Sequence, residues 1–168
     1  GTIYPAPRVA VLNAHDERTP DLIEAARAAG SSICTYGIGI GDFRAASHKL
    51  TPGGASIQLE TPAGSAHVTS RLAGDVLNLL AAFTAAHARG VSFDELVAAV
   101  PRLKPVPGRF QPVDAGQPFT VIVDYAHTDD ALRNLTALAR QLVIANNGRI
   151  ITLFGCGGDR DRTKRPKM

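Results

Sequence analysis

Two short stretches hold the side chains best suited to chemistry. Residues 124–128 read DYAHT, and residues 155–161 read GCGGDRD. Each follows an apolar run, FTVIVD at 119–124 and RIITLF at 149–154, so each is expected at the carboxyl end of a buried strand. In open parallel sheets ligands bind at those ends. Asp124 there could accept the hydroxyls of a ribose, and Tyr125 or His127 could pack on a base. Gly155, Gly157 and Gly158 would let backbone N–H groups approach an anion. The plainer alternative at Asp124 is equally open, because acids at strand ends often only cap the helix that follows. His15, His48, His67 and His87 are scattered and read as surface or core histidines; only His127 sits at a strand end.

Several chemistries fail their motif tests. The glycine loop is not GxGxxG, since Arg160 stands at the last glycine position, and it is not GxxxxGK[ST]. No Ser-His-Asp frame is recognisable. Cys34 and Cys156 lie far apart without a CxxC pair, so the sequence offers no catalytic or metal-ligating set of its own. The net charge of +3 is local: residues 159–168 hold five bases and two acids, and the rest of the chain balances. That favours a site for a small anion over a nucleic-acid surface, which needs a basic stripe along a face. A solvated tail is the competing explanation of the same charges. No apolar run approaches the ~20 residues of a membrane span. The opening GTIYPAPRVAVLN lacks the regions of a signal peptide, so a cytoplasmic setting without membrane contact is expected.

The elements that would position these residues follow from the patterning. RVAVLN at 8–13 reads as a buried parallel strand, residues 16–29 as a helix stopped by Gly30, and residues 33–36 as a second strand. Gly37, Gly39 and Gly41 are expected to loosen the chain. Residues 43–72 change character into an antiparallel meander with turns at Gly53-Gly54 and at residues 62–64. Residues 76–89 are apolar on nearly all sides, which predicts a buried helix. Ser92 caps a shorter helix over 93–100. The next eighteen residues hold five prolines and two glycines, which predicts a linker without regular structure and a domain boundary. Beyond it a strand at 119–124, a helix capped by Thr128 and a strand at 149–154 predict a β-α-β unit with parallel strands.

The combination VDYAHTDDAL, followed some thirty residues later by FGCGGDRDRTKRPKM, resembles the Mur ligases of peptidoglycan synthesis, and within them the branch that adds the third amino acid of the stem peptide. The family's strings are DYAHTPDAL and GCGGDRDxxKRPxM; Asp129 replaces the proline here. VLNAHD and PVPGRF resemble the family's NADD strand end and PGR linker, with His15 in place of the first acid. Gly74-Asp75 runs directly into Val76-Leu77-Asn78, two residues short of the family's GxFNVxN, and Gly1-Thr2 reaches Pro5 with little between.

The resemblance implies an α/β fold in two pieces. Residues 1–109 would be the second half of a central ATPase domain, with parallel strands and a small antiparallel meander. Residues 110–168 would open a Rossmann-like C-terminal domain. It implies that Asn78 lies near adenine, that Arg109 and Asp124 approach the ribose, and that Tyr125, His127 and Thr128 line the nucleotide's edge. Arg160 would take the carboxylate of the incoming amino acid, a role suited to a forked guanidinium. ATP and Mg2+ are implied, together with UDP-N-acetylmuramoyl-L-Ala-D-Glu and either meso-diaminopimelate or L-lysine. The family's phosphate loop and its DNPR motif fall outside these residues, so the resemblance implies a fragment that is inactive alone. Two rivals remain. Folylpolyglutamate or cyanophycin synthetase-like ligases share a D-x-x-H strand end but generally lack GCGGDRD. A non-catalytic module could use the basic tail on nucleic acid, with steep salt dependence, but six Phe and three Tyr supply no aromatic platform beside that tail.

Overall fold

The computed structural model describes residues 8–51, 53–72, 74, 76–144, 148–157 and 162–168. A five-stranded mixed sheet runs in the order β1-β2-β3-β4-β5. β1 (Val9–Asn13) and β2 (Ser32–Ile38) are parallel, with α1 (Thr19–Ala28) between them. Pro20 opens α1 and Asp21 lies in its first turn, where an acid faces the positive end of the helix dipole.

β2 is also parallel to β3 (Phe43–Thr51), in register from Tyr36↔Phe43 to Ile38↔Ala45, yet only residues 39–42 join them. Parallel neighbours ordinarily need a crossover of a dozen residues or more. The short return works because only three pairs are in register and Gly39 and Gly41 adopt φ of 71° and 92°. The Asp42 carboxylate closes it, accepting the Thr35 N–H at 2.9 Å and the Thr35 hydroxyl at 2.8 Å. The loosened segment expected at Gly37, Gly39 and Gly41 is therefore a tight loop between parallel strands. Gly37 lies within β2, where a Cβ would meet Ile40 at 2.9 Å.

β3, β4 (Gly54–Thr61) and β5 (Gly64–Ser70) form the antiparallel part. Along β4, Ala55, Ile57 and Leu59 point inward and are fully buried, while Ser56, Gln58 and Glu60 face the other way. α2 (Val76–Ala88) covers the inner face with Val76, Leu79, Leu80 and Phe83. Its buried Thr84 hydroxyl donates to the Leu80 carbonyl at 2.7 Å, so no polar atom is stranded there.

α3 (Phe93–Ala99) begins in a reciprocal cap. Ser92 accepts the Glu95 N–H, and the Glu95 carboxylate accepts the Ser92 N–H at 3.1 Å and its hydroxyl at 2.6 Å. These bonds hold the Glu95 carboxyl below its ordinary 4.5, the side-chain bond being the larger cause. A depressed carboxyl stabilises above its unfolded pKa and loses that contribution as pH falls through its folded value. Glu95→Gln is thus expected to flatten the acid limb of the stability-versus-pH curve, as read by urea unfolding between pH 3 and 7. An unchanged limb would contradict this.

A short 3-10 turn, Val100–Arg102, leads into the proline-rich stretch. That stretch is not wholly irregular, as the sequence had suggested. β6 (Gln111–Val113) lies in it and pairs antiparallel with β7 (Val121–Val123). Pro112 is tolerated because β6 is an edge strand, with one side free of any ladder. α4 (Asp129–Ile144) follows. The strand expected over 149–154 is not formed. Ile151 and Leu153 are 80% and 98% exposed, and among the described residues β7 pairs with β6 alone. The 149–154 segment instead borders an open cleft of about 560 Å3 between β7 and α4. Among the described residues no helix is long and apolar enough to cross a membrane.

Candidate nucleotide-side site

The strand end after β7 is held by its own backbone. Asp124 is half-buried, and its two carboxylate oxygens accept the Phe110 N–H and the Ala126 N–H, both at 2.8 Å. The Tyr125 N–H donates to the Gly108 carbonyl at 2.7 Å, and the Gly108 N–H donates to Gln111 Oε1 at 2.8 Å. The PGRF loop at 107–110 is thereby stapled across the start of the DYAHT segment. Hydrogen bonds to a charged group contribute about 1.5–3 kcal/mol each, so Asp124 alone accounts for much of this local order. The local and the ligand-binding readings of Asp124 are compatible: a carboxylate has about four lone-pair sites, and the two backbone donors leave room for a hydroxyl.

The neighbours of Asp124 are arranged around it. Tyr125 is 70% exposed, and its ring meets His127 edge-on at 5.1 Å between centroids. His127 Nδ1 lies 2.9 Å from the Tyr125 carbonyl oxygen. That bond places the proton on Nδ1, and a neutral ring then keeps Nε2 as an acceptor. Thr128 accepts the Ala131 N–H at 3.2 Å, so its hydroxyl caps α4. Arg109 is exposed beside this group, and its guanidinium makes no ion pair among the described residues.

Asn78 is exposed in the first turn of α2, four residues after Gly74. Phe110 links that turn to the strand end: its ring lies against Gly74 while its N–H is bound by Asp124. Phe110 and Gly74 carry this link and Gln111 supports the loop beside it; in the sequence Gly74 and Phe110 stand only inside motif strings, with no role of their own.

In the glycine loop only residues 155–157 and 162–168 are described. Arg160, expected at the amino-acid carboxylate, lies outside the described residues, as do Gly158, Asp159, Asp161, Asp75 and the opening Gly1, Thr2 and Pro5. The Cys156 thiol sits 3.3 Å from the Met168 sulfur, so the chain folds back on the loop. Of the other histidines, His15 accepts the Ile38 N–H at 2.9 Å and ties β1 to β2, and His67 pairs with Ser56 at 2.7 Å.

A mixed α/β sheet unit leads through a stapled linker to a second strand end that carries an acid, and comparison of the sequence with known families divides the chain in the same way. Residues 3–86 match the Mur ligase middle domain, and residues 108–168 match the Mur ligase, glutamate ligase domain. The chain belongs to the Mur ligase family. It is 46% identical over 165 residues to the UDP-N-acetylmuramoyl-L-alanyl-D-glutamate--2,6-diaminopimelate ligase of Geobacillus thermodenitrificans, covering 96% of this chain and 32% of that relative. A solved structure of a ligase of the same name is 35% identical, with a TM-score of 0.66 over 96% of this chain and 34% of the other. MurF from Acinetobacter baumannii is 31% identical, with a TM-score of 0.71 over 81% of this chain and 30% of the other. The chain spans about a third of the length of the curated relatives it matches.

Proposed function

We propose that the full-length protein carrying these residues is an ATP-dependent amide ligase of peptidoglycan synthesis. It joins an amino acid to the D-Glu carboxyl side of UDP-N-acetylmuramoyl-L-Ala-D-Glu. The observation that carries this is the strand end itself: Asp124, pinned to the PGRF loop, with Tyr125, His127 and an exposed Arg109 beside it. Asp124 and Arg109 would meet the ribose, Tyr125 and His127 the edge of the nucleotide, and Asn78 the adenine. Thr128 serves that edge through its cap on α4, which fixes where the segment turns. Arg160 would receive the amino-acid carboxylate. Residues 1–109 would belong to the central ATP-binding domain and residues 110–168 to the C-terminal one.

The chemistry is two transfers. The substrate carboxylate attacks the γ-phosphorus of ATP, its bond to the β-γ bridging oxygen breaks, and ADP leaves. The amine then attacks the acyl phosphate, loses a proton and expels inorganic phosphate as the amide forms. Such catalysis rests on positioning and charge neutralisation. Among the described residues no group of three or more His, Cys, Asp or Glu could hold a metal ion, so no residue here is assigned to Mg2+. The phosphate-holding loop of the family has no counterpart in these residues either, and the 168-residue chain is expected to show no ligation by itself.

The incoming amino acid is taken to be 2,6-diaminopimelate, on the names of relatives at 46% and 43% identity. With the UDP-muramoyl dipeptide and ATP supplied, ADP release by the full-length protein should require diaminopimelate. Release with L-lysine instead would move the assignment within the branch. Release only with glutamate and a folate acceptor would replace it with the folylpolyglutamate alternative.

A further inference from the structure

We propose that Phe110 is a positioning residue for the nucleotide: a buried wedge that fixes the strand end carrying Asp124 against the start of α2, and so holds the ribose-side and adenine-side residues in register. The inference rests on the ATP-dependent reading above.

Phe110 is the only non-glycine among the described residues with a positive φ, at 42°. Phenylalanine adopts that region rarely, and persists there only when its surroundings over-determine it. Its burial and two contacts do so. Its side chain is 4% exposed. A Cβ on Gly74 would lie 2.8 Å from Phe110 Cβ and 3.0 Å from Cγ, so the ring sits directly on the glycine backbone. Its N–H is held by Asp124 Oδ2 at 2.8 Å. Gly74 has no left-handed φ, so a side chain is excluded there by space and not by conformation.

The consequence is a rigid chain of contacts. Gly74 leads into α2, whose first turn carries Asn78, and Phe110 follows Arg109 and binds Asp124. Three of the expected nucleotide contacts, Asn78, Arg109 and Asp124, are therefore tied together through one residue, by its ring on Gly74 and its N–H on Asp124. Lifting the ring off Gly74 would free the 107–110 loop and the strand end together.

Two variants attack the same contact from opposite sides. In the full-length protein, Gly74→Ala and Phe110→Ala are each expected to raise the KM for ATP about tenfold, a shift of about 1.4 kcal/mol in affinity terms. The KM for the amino acid should change less than about twofold by the same arithmetic. Phe110→Leu, which keeps an apolar wedge, should recover most of the loss. The double variant Gly74→Ala/Phe110→Ala should be no worse than either single one, because both remove one interaction. Hydrogen exchange supplies a readout independent of activity: the Phe110 amide should exchange at least about tenfold faster in Gly74→Ala, with the β4 amides unchanged. An unchanged Phe110 amide overturns the wedge whatever the activity. A faster amide with an unchanged KM for ATP overturns its role in nucleotide positioning while leaving the ligase reading intact. A wild-type protein without ATP-dependent turnover sinks the ligase reading, and this proposal with it.

Discussion

Asp124→Asn is expected to raise the KM for ATP at least about tenfold and to lower the unfolding free energy by about 1–3 kcal/mol. The two effects share one cause. Two backbone N–H groups, of Phe110 and Ala126, converge on the two oxygens of this carboxylate. An amide offers one carbonyl oxygen and one NH2, so one of those donors must face another donor. A half-buried N–H without a partner carries the desolvation cost of the group. The strand end then relaxes away from the PGRF loop, and under the proposed reading the hydroxyls of a ribose would lose both an acceptor and its fixed position. Asp124→Glu separates the two contributions, because it keeps the charge but moves the oxygens about one methylene further out. If the affinity for ATP depends on position, the Glu variant should fail nearly as badly as Asn. Steady-state kinetics on the full-length protein and urea unfolding together read both. A variant that loses stability with no change in KM would leave Asp124 as a local cap and nothing more.

Phe83→Ala is expected to cost about 3–5 kcal/mol of stability. Phe83 is 4% exposed on α2, with its ring 6.5 Å from that of Phe43 on β3 and 6.0 Å from that of Phe93 on α3. One side chain thus joins the helix to the sheet and to the following helix. Its removal leaves a cavity between the rings of Phe43 and Phe93, in a core that is already close-packed and relaxes only in part. Domains are stable by only about 5–15 kcal/mol, so the variant should approach the limit of folding. Leu22→Ala is the natural control: at 47% exposure on α1 it should change stability by no more than about 0.5–1 kcal/mol. Urea midpoints with unchanged slopes would test the pair, and equal losses at both sites would contradict the placement of the core.

The elements legible in the sequence are those with one dominant signal. α2 is apolar almost all round and can only be buried. α1 and α3 announce themselves by Pro20 and by the Ser92–Glu95 cap. β3 is harder. A register shift between Ala45 and Ser47 breaks the alternation, and beyond it the polar His48, opposite Ile57, stands at an inward position between the outward Ser47 and Lys49. β6 is masked by Pro112, which is admissible only because the strand lies at an edge. The run RIITLF shows the opposite failure. It has strand composition, but a strand needs a ladder partner, and among the described residues none pairs with 149–154.

The same division holds at the site. The DYAHT and GCGGDRD segments are visible as motifs, because glycines and acids in a fixed order are properties of the chain itself. Phe110 is not visible in this way. Its importance lies in a positive φ, a buried ring and a glycine thirty-six residues earlier, and those exist only once the two segments meet. Gln111 is similar, reading as linker in sequence and holding the Gly108 N–H in the folded chain.

The central claim is that the full-length protein activates a carboxylate with ATP and hands it to an amine. The most direct test labels the acceptor D-Glu carboxylate of the UDP-muramoyl dipeptide with oxygen-18 and analyses the inorganic phosphate released during ligation to diaminopimelate. Attack by that carboxylate on the γ-phosphorus carries one labelled oxygen into each phosphate formed, with ADP and the tripeptide appearing in equal amounts. Unlabelled phosphate, or AMP and pyrophosphate in place of ADP, would contradict the account.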